Sequence, residues 1–211
     1  MRPADRTAAA ILDAAERLFA ERGYEGATVK AIGAAAKVNP ALLSYHFGGK
    51  AGTYRAVLAR RIAAFAEEGM QQLARAASPA QAVRDFAAAY MRFMLRHPTL
   101  PRLVIREVLE HDATHVEEGV RAIAAGPFQA LCDVVREGQR RGDFRADVDP
   151  ARAALSILSP LVYILVARPV ASILLTGRRR GLGDDALRDF AAHAADFALA
   201  ALAPARAGAP R

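Results

Sequence analysis

Three stretches carry side chains of the kinds that do chemistry. His111-Asp112-Ala113-Thr114-His115 is one residue type away from the H-E-x-x-H zinc motif. There, two histidines at i and i+4 share a metal and the carboxylate between them acts as base. Glu107 and Glu110 add oxygen ligands nearby. Aspartate is shorter than glutamate, however, and the run falls between two apolar-periodic segments, where polar residues belong in water. The expected reading is a surface or a helix junction, with no metal and no cofactor. A metal-dependent sensor or hydrolase using His111 and His115 is the alternative. The second stretch is QALCDVV around Cys132, the single cysteine, which excludes an internal disulfide and reads as a small buried hydrophobe. The third is VNPALLSYHFGGK, residues 38–50. His46 has no Ser, Cys or carboxylate beside it, and Ser44, two residues back, faces elsewhere on a helix. The oriented partner that nucleophilic catalysis needs is missing. No enzyme is expected.

The elements that position these residues read as helices throughout. Alanine is abundant, β-branched residues are sparse, and no alternating β-rich segment occurs. Ile11, Leu12, Ala15, Leu18 and Phe19 recur at helical spacing over 7–22, with Gly23 as the stop. Thr28 caps a second helix over 28–36, with Ile32 and Ala35 on its inner face. Asn39 caps a third, with Pro40 at its first position, and Gly48-Gly49 end it. Lys50 opens a longer helix. Further helices are expected at 78–97, 100–111, 115–141 (bent at Gly126-Pro127), from Asp149-Pro150 through the apolar run 153–175, and over 184–202, before a flexible tail at 204–211. Pro160, Arg168 and Pro169 interrupt the apolar run, so a buried core or interface helix is expected rather than a membrane span. Asp13, Glu16 and Arg17 interrupt the apolar N-terminal stretch, so it does not read as a signal peptide. The expected location is the cytoplasm.

Charge singles out the third stretch. The chain carries +7 overall, yet residues 61–211 hold 20 basic against 17 acidic residues. Between Glu25 and Glu67 there is no acidic residue, while Lys30, Lys37, Lys50, Arg55, Arg60 and Arg61 fall in that interval. Two short helices joined by a few residues on an acid-free, lysine-bearing surface have the form of a helix-turn-helix facing phosphates. Ala31, Ala35 and Ala36 suit the tight crossing, and Val38 and Leu43 are its expected buried anchors. A helical protein-interaction module is the alternative.

Residues 11–58, ILDAAERLFAERGYEGATVKAIGAAAKVNPALLSYHFGGKAGTYRAVL, resemble the N-terminal domain of TetR-type transcriptional regulators. The resemblance lies in Ala14-Ala15, Leu18-Phe19, Gly23, Thr28, Ile32, Ala36, Val38, Leu43, His46-Phe47 and Lys50. It implies an all-α homodimer in which a three-helix head at 4–64 precedes an effector-binding and dimerisation body at 65–203. The last two helices would build the dimer interface. It also implies repression of a palindromic operator until a small molecule binds the body. The chain departs from the pattern at Lys37 and Ser44, where glycine and tyrosine are usual, and at Gly49 and Ala51, where serine and glutamate are.

On this reading Thr28, Lys37, Tyr45, His46 and Lys50 approach the sugar-phosphate backbone. Asn39, Pro40, Ala41 and Leu42 face the major groove, and Ser44, which can donate or accept, approaches the backbone with Tyr45 and His46. Asn39 either reads a base edge or only caps its helix, and Ala41 and Leu42 can touch thymine methyls. With so few polar readers, DNA shape carries much of the selectivity. In the body, Phe86, Tyr90, Met94, Phe128 and Tyr163 are the candidate lining for a hydrophobic or amphipathic effector, or plain core.

Overall fold

The computed structural model describes residues 3–111, 114 and 117–204. His115 and Asp112, the tail from 205, and the side chains of Glu110 and His111 lie outside the described residues. Among those described, eleven α-helices and one π-turn follow in order and no strand occurs. The fold is all-α.

The chain divides into two units. The first takes residues 1–64 and 97–121, and the second takes 65–96 and 122–211. In the first unit, α1 (Pro3–Gly26) packs on α2 (Val29–Ala36) and on α6 (Leu100–His111). Residues 97–121, assigned to the body from sequence, thus group with the head. Helix α3 (Ala41–Phe47) packs on α2, and the N-terminal part of α4 (Lys50–Arg75) completes the unit. Ile11, Ala15, Phe19, Ile32, Leu43, Tyr54, Val57 and Leu58 are buried at its centre. Each large apolar side chain there contributes about 1.5–3 kcal/mol. Tyr54 meets Phe19 edge-on at 4.8 Å and Tyr24 at 5.1 Å. Gly23 leaves helical geometry at φ 74°, which is the stop its residue type predicts.

One acid sits inside this head. Glu16, 4% exposed, accepts from Arg61 Nε at 2.9 and 3.0 Å, from Arg60 Nη2 at 3.0 Å and from Thr99 Oγ1 at 2.7 Å. Asp13 adds a second bond to Arg60 at 2.8 Å. Burial alone would raise the Glu16 pKa. The bonds from Arg61, Thr99 and Arg60 outweigh it, so the carboxyl stays below its ordinary value and is ionised. Arg60 and Arg61, counted from sequence with the DNA-facing charge, are partly buried and committed to this cluster.

In the second unit, α5 (Pro79–Arg96) packs against α8 (Gln129–Arg141), α9 (Pro150–Val166) and α11 (Asp184–Leu202). Asp149 caps α9 by accepting from the Arg152 N–H at 2.8 Å. Arg84 of α5 pairs with Asp196 of α11 at 2.9 Å. The expected helix over 115–141 is broken as its Gly-Pro pair predicts. Helix α7 (Glu117–Ile123) leads into a π-turn at Ala124–Phe128, where Gly126 takes φ −106°, ψ −105°, before α8 resumes. The apolar run 153–175 forms two helices, α9 and α10 (Arg168–Thr176), bent by 89°. No described helix alone is long and apolar enough to cross a membrane.

The loop after α10 is strapped back onto it. Ser172 Oγ donates to the Arg178 carbonyl at 2.5 Å and accepts from the Gly181 N–H at 2.6 Å. Arg168 reaches the Leu182 carbonyl at 2.6 Å. On the outward sides of α9, α10 and α11, large apolar residues remain exposed: Leu155, Val162, Tyr163 and Val166, then Val170, Ile173, Leu174 and Leu175, then Phe197.

Candidate functional site

The head's outward surface is built by short-range rules. Thr28 Oγ1 accepts from the Ala31 N–H at 3.1 Å and starts α2. Lys37 ends it with φ 57°, ψ 40°, its N–H reaching the Ala34 carbonyl at 3.2 Å. It is the one non-glycine residue with positive φ among those described. Glycine at this position would relieve about 1 kcal/mol of left-handed strain. Lys37→Gly is therefore expected to raise the thermal midpoint of the purified protein, as read by circular dichroism. An unchanged or lowered midpoint would contradict it.

Asn39 Oδ1 accepts from the Ala41 N–H at 2.9 Å, so the carboxamide oxygen does cap α3 and the nitrogen remains as a donor. The crossing of α2 over α3 is made by Gly33, a residue that its sequence neighbourhood does not single out. A Cβ there would stand 3.0 Å from Pro40 Cγ and 3.1 Å from its Cα. Ala35, expected on the inner face, is exposed, because Ile32 and Gly33 occupy the buried side. Val38, expected as a buried anchor, is half-buried, and Leu43 is fully buried. Gly52 is a second such residue. A Cβ on it would lie 1.6 Å from the Phe47 carbonyl oxygen, so the α3–α4 junction admits only glycine. The signal available for both is a glycine inside a helical pattern.

On the face so formed, Asn39, Ala41, Ser44 and Tyr45 are exposed, Tyr45 at 81%, while Pro40, Leu42 and His46 are half-buried. The His46 ring meets Tyr45 edge-on at 5.0 Å and Phe47 at 5.9 Å, and among the described residues no carboxylate or thiol hydrogen-bonds it. Lys30, Lys37 and Arg55 are exposed. Lys50 is held back: its Nζ lies 4.4 Å over the Tyr24 ring, donates to the Glu25 carbonyl at 3.3 Å and pairs with that side chain at 3.7 Å. What remains is a helix-turn-helix surface with cations around a weakly polar recognition helix.

Comparison with known proteins decides the family. Residues 11–57 match the profile described as "Bacterial regulatory proteins, tetR family", and residues 79–197 match "Tetracyclin repressor-like, C-terminal domain". The chain belongs to the TetR family. It is a DNA-binding transcriptional regulator and not an enzyme, which removes both the hydrolase reading of His111 and His115 and the plain interaction module. The transcriptional repressor NicS of Pseudomonas putida is 31% identical over 158 residues, 74% of each chain. The repressor SCO4008 of Streptomyces coelicolor is 28% identical over 195 residues, 89% of this chain and 92% of that one. Two solved structures share the TetR fold. The fatty acid degradation regulator FadR of Bacillus halodurans has a TM-score of 0.75 at 18% identity, covering 94% of this chain and 96% of that one. AibR, in complex with isovaleryl coenzyme A and operator DNA, has a TM-score of 0.67 at 23% identity, covering 93% and 97%.

In the second unit of this TetR-family chain, Phe86, Tyr90 and Met94 are buried on α5 and Phe128 is half-buried in the π-turn. Tyr163, expected beside them, is 53% exposed. It shares the outward stripe of α9 with Leu155, Val162 and Val166, a phase hidden by a run apolar on every side. The rings around Tyr90 include two residues outside the sequence-derived set: Phe65, at 5.4 Å from Tyr90, and Phe93, at 5.5 Å from Phe65. With Glu68, Gly69, Phe86 and Ala89 they line a cleft too narrow anywhere for a water molecule.

Proposed function

We propose that the chain is a repressor that works as a homodimer on a palindromic operator and is released by a small hydrophobic or amphipathic effector bound in the body. The observation that carries the DNA-facing part is the acid-free segment 26–66 that contains α3, with Lys30, Lys37 and Arg55 exposed. On this reading α3 enters the major groove, presenting Ala41 and Leu42 to thymine methyls and the Asn39 amide nitrogen to a base edge. Thr28, Lys37, Ser44, Tyr45 and His46 position the head on the backbone. Lys50 reaches a phosphate after leaving Tyr24 and Glu25, or else keeps α4 pinned beneath the DNA. The homodimer is supported by the apolar side chains exposed along α9 and α11. Release from DNA is a coupling between effector site and head, reciprocal by linkage. That NicS and SCO4008 are transcriptional repressors supports the direction of control.

The test is fluorescence anisotropy with the DNA upstream of the gene, at fixed salt. Tyr45→Ala and Lys37→Ala are each expected to weaken binding by about tenfold. Lys37→Ala should also flatten the dependence on salt, by roughly one counterion for each phosphate the lysine neutralises. Affinity unaltered in both variants would remove α3 and its flanks from the DNA interface.

A further inference from the structure

Helix α10 turns away from α9 by 89° and exposes most of its apolar side chains. Only Ala171 and Ser172 are buried, while Val170, Ile173, Leu174 and Leu175 are between 50% and 74% exposed. So much apolar surface on nine residues calls for a cover. The loop that follows is built from within. Ser172 Oγ accepts from the Gly181 and Leu182 N–H groups at 2.6 and 3.2 Å, and Thr176 Oγ1 donates to the Ser172 carbonyl at 2.7 Å. Those bonds fix the backbone and leave the side chains of Arg178, Arg179 and Arg180 exposed and, among the described residues, in no ion pair. Apolar and basic groups thus share one preformed patch.

The matching chemistry lies on α11 of the same unit. Asp185, Asp189 and Asp196 recur at helical spacing along one flank of the stripe that holds Phe190 and Phe197. Arg188 engages Asp185 and Arg84 engages Asp196, but Asp189 is exposed and in no ion pair among the described residues. The free arginines and the free aspartate therefore do not meet within one chain.

We propose that α10 and its arginine loop form an arm that a second copy of the chain covers. Ile173 and Leu174 lie on the partner's Phe197 and Phe190, and Arg178 to Arg180 meet the partner's Asp189. A basic apolar patch and an acidic apolar one on a single sequence are what a two-fold exchange requires, and symmetry makes each contact twice. This rests on the homodimer reading above and adds a contact that the pairing of α9 with α11 does not use.

Dilution of the labelled full-length dimer, followed by fluorescence-detected sedimentation, tests it. Arg178→Glu, Arg179→Glu and Arg180→Glu together should raise the dissociation constant about tenfold in low salt. Asp189→Arg alone should raise it severalfold. All four changes together should return it to within about threefold of wild type, a recovery that misfolding does not imitate. Leu174→Ser should also raise it severalfold, with an effect that survives added salt. An unaltered constant in the arginine variant, or no recovery in the quadruple one, overturns the arm and leaves the homodimer standing. A wild type that is monomeric throughout removes the homodimer reading itself. Cosedimentation with phosphatidylglycerol vesicles that the arginine variant loses, while its dimerisation is unchanged, would give the patch to a lipid surface and overturn the proposal.

Discussion

Replacing Glu16 by glutamine is expected to destabilise the head by about 3 kcal/mol at neutral pH, because it leaves two arginines partly buried without their counter-charge. The side chain is 4% exposed and joins α1 to Arg60 and Arg61 of α4 and to Thr99 just before α6. Its folded pKa lies below the ordinary value of 4.5. Such a group contributes its stability above the unfolded pKa and loses it as pH falls through the folded one. The difference between wild type and Glu16→Gln should therefore be full at pH 7 and shrink once pH drops below about 4.5. Hydrogen exchange over residues 11–20 localises the loss to the head. Equal protection in both proteins at pH 7 would show that the cluster is neutral in net worth. The chain has no tryptophan, so circular dichroism is the companion readout for unfolding.

The second large effect concerns the dimer. Leu155→Asp combined with Phe197→Asp is expected to yield a folded monomer by light scattering, since the two side chains are 56% and 72% exposed on α9 and α11. Aspartates buried there on association would face each other or apolar surface without partners. Operator affinity should then fall by about two orders of magnitude or more, because each head must bind without the effective concentration that the other provides. A variant that stays dimeric with native affinity would move the interface elsewhere.

Much of this was legible in the chain because the punctuation is local. Thr28, Asn39-Pro40, Gly48-Gly49 and Asp149-Pro150 mark helix ends through their own backbone chemistry, and they act where their types say they do. Lys37 was legible too, as a lysine where a left-handed turn wants glycine. What local rules do not carry is phase and partnership. Tyr163 could not be placed from a stretch apolar all round, and Ala35 could not be told from Gly33 in a run of small residues. The Glu16 cluster spans more than eighty positions, from α1 to Thr99, and removes Arg60 and Arg61 from a charge count that treated them as surface. Likewise Phe65 and Glu68 belong to the cleft because α4 meets α5 there, a fact of packing that neither helix states alone.

Lys37 links two equilibria that respond differently to the medium. Its left-handed backbone costs the fold about 1 kcal/mol whatever the ionic strength. Its proposed return is the counterion displaced from DNA, a gain that shrinks as salt rises. A two-fold protein carries this exchange twice per operator. The lysine is thus the better residue in dilute salt and the glycine the better one in concentrated salt. The ionic strength at which the affinity lost by Lys37→Gly equals the ~1 kcal/mol of stability it gains would mark the conditions under which a charged turn is worth its strain.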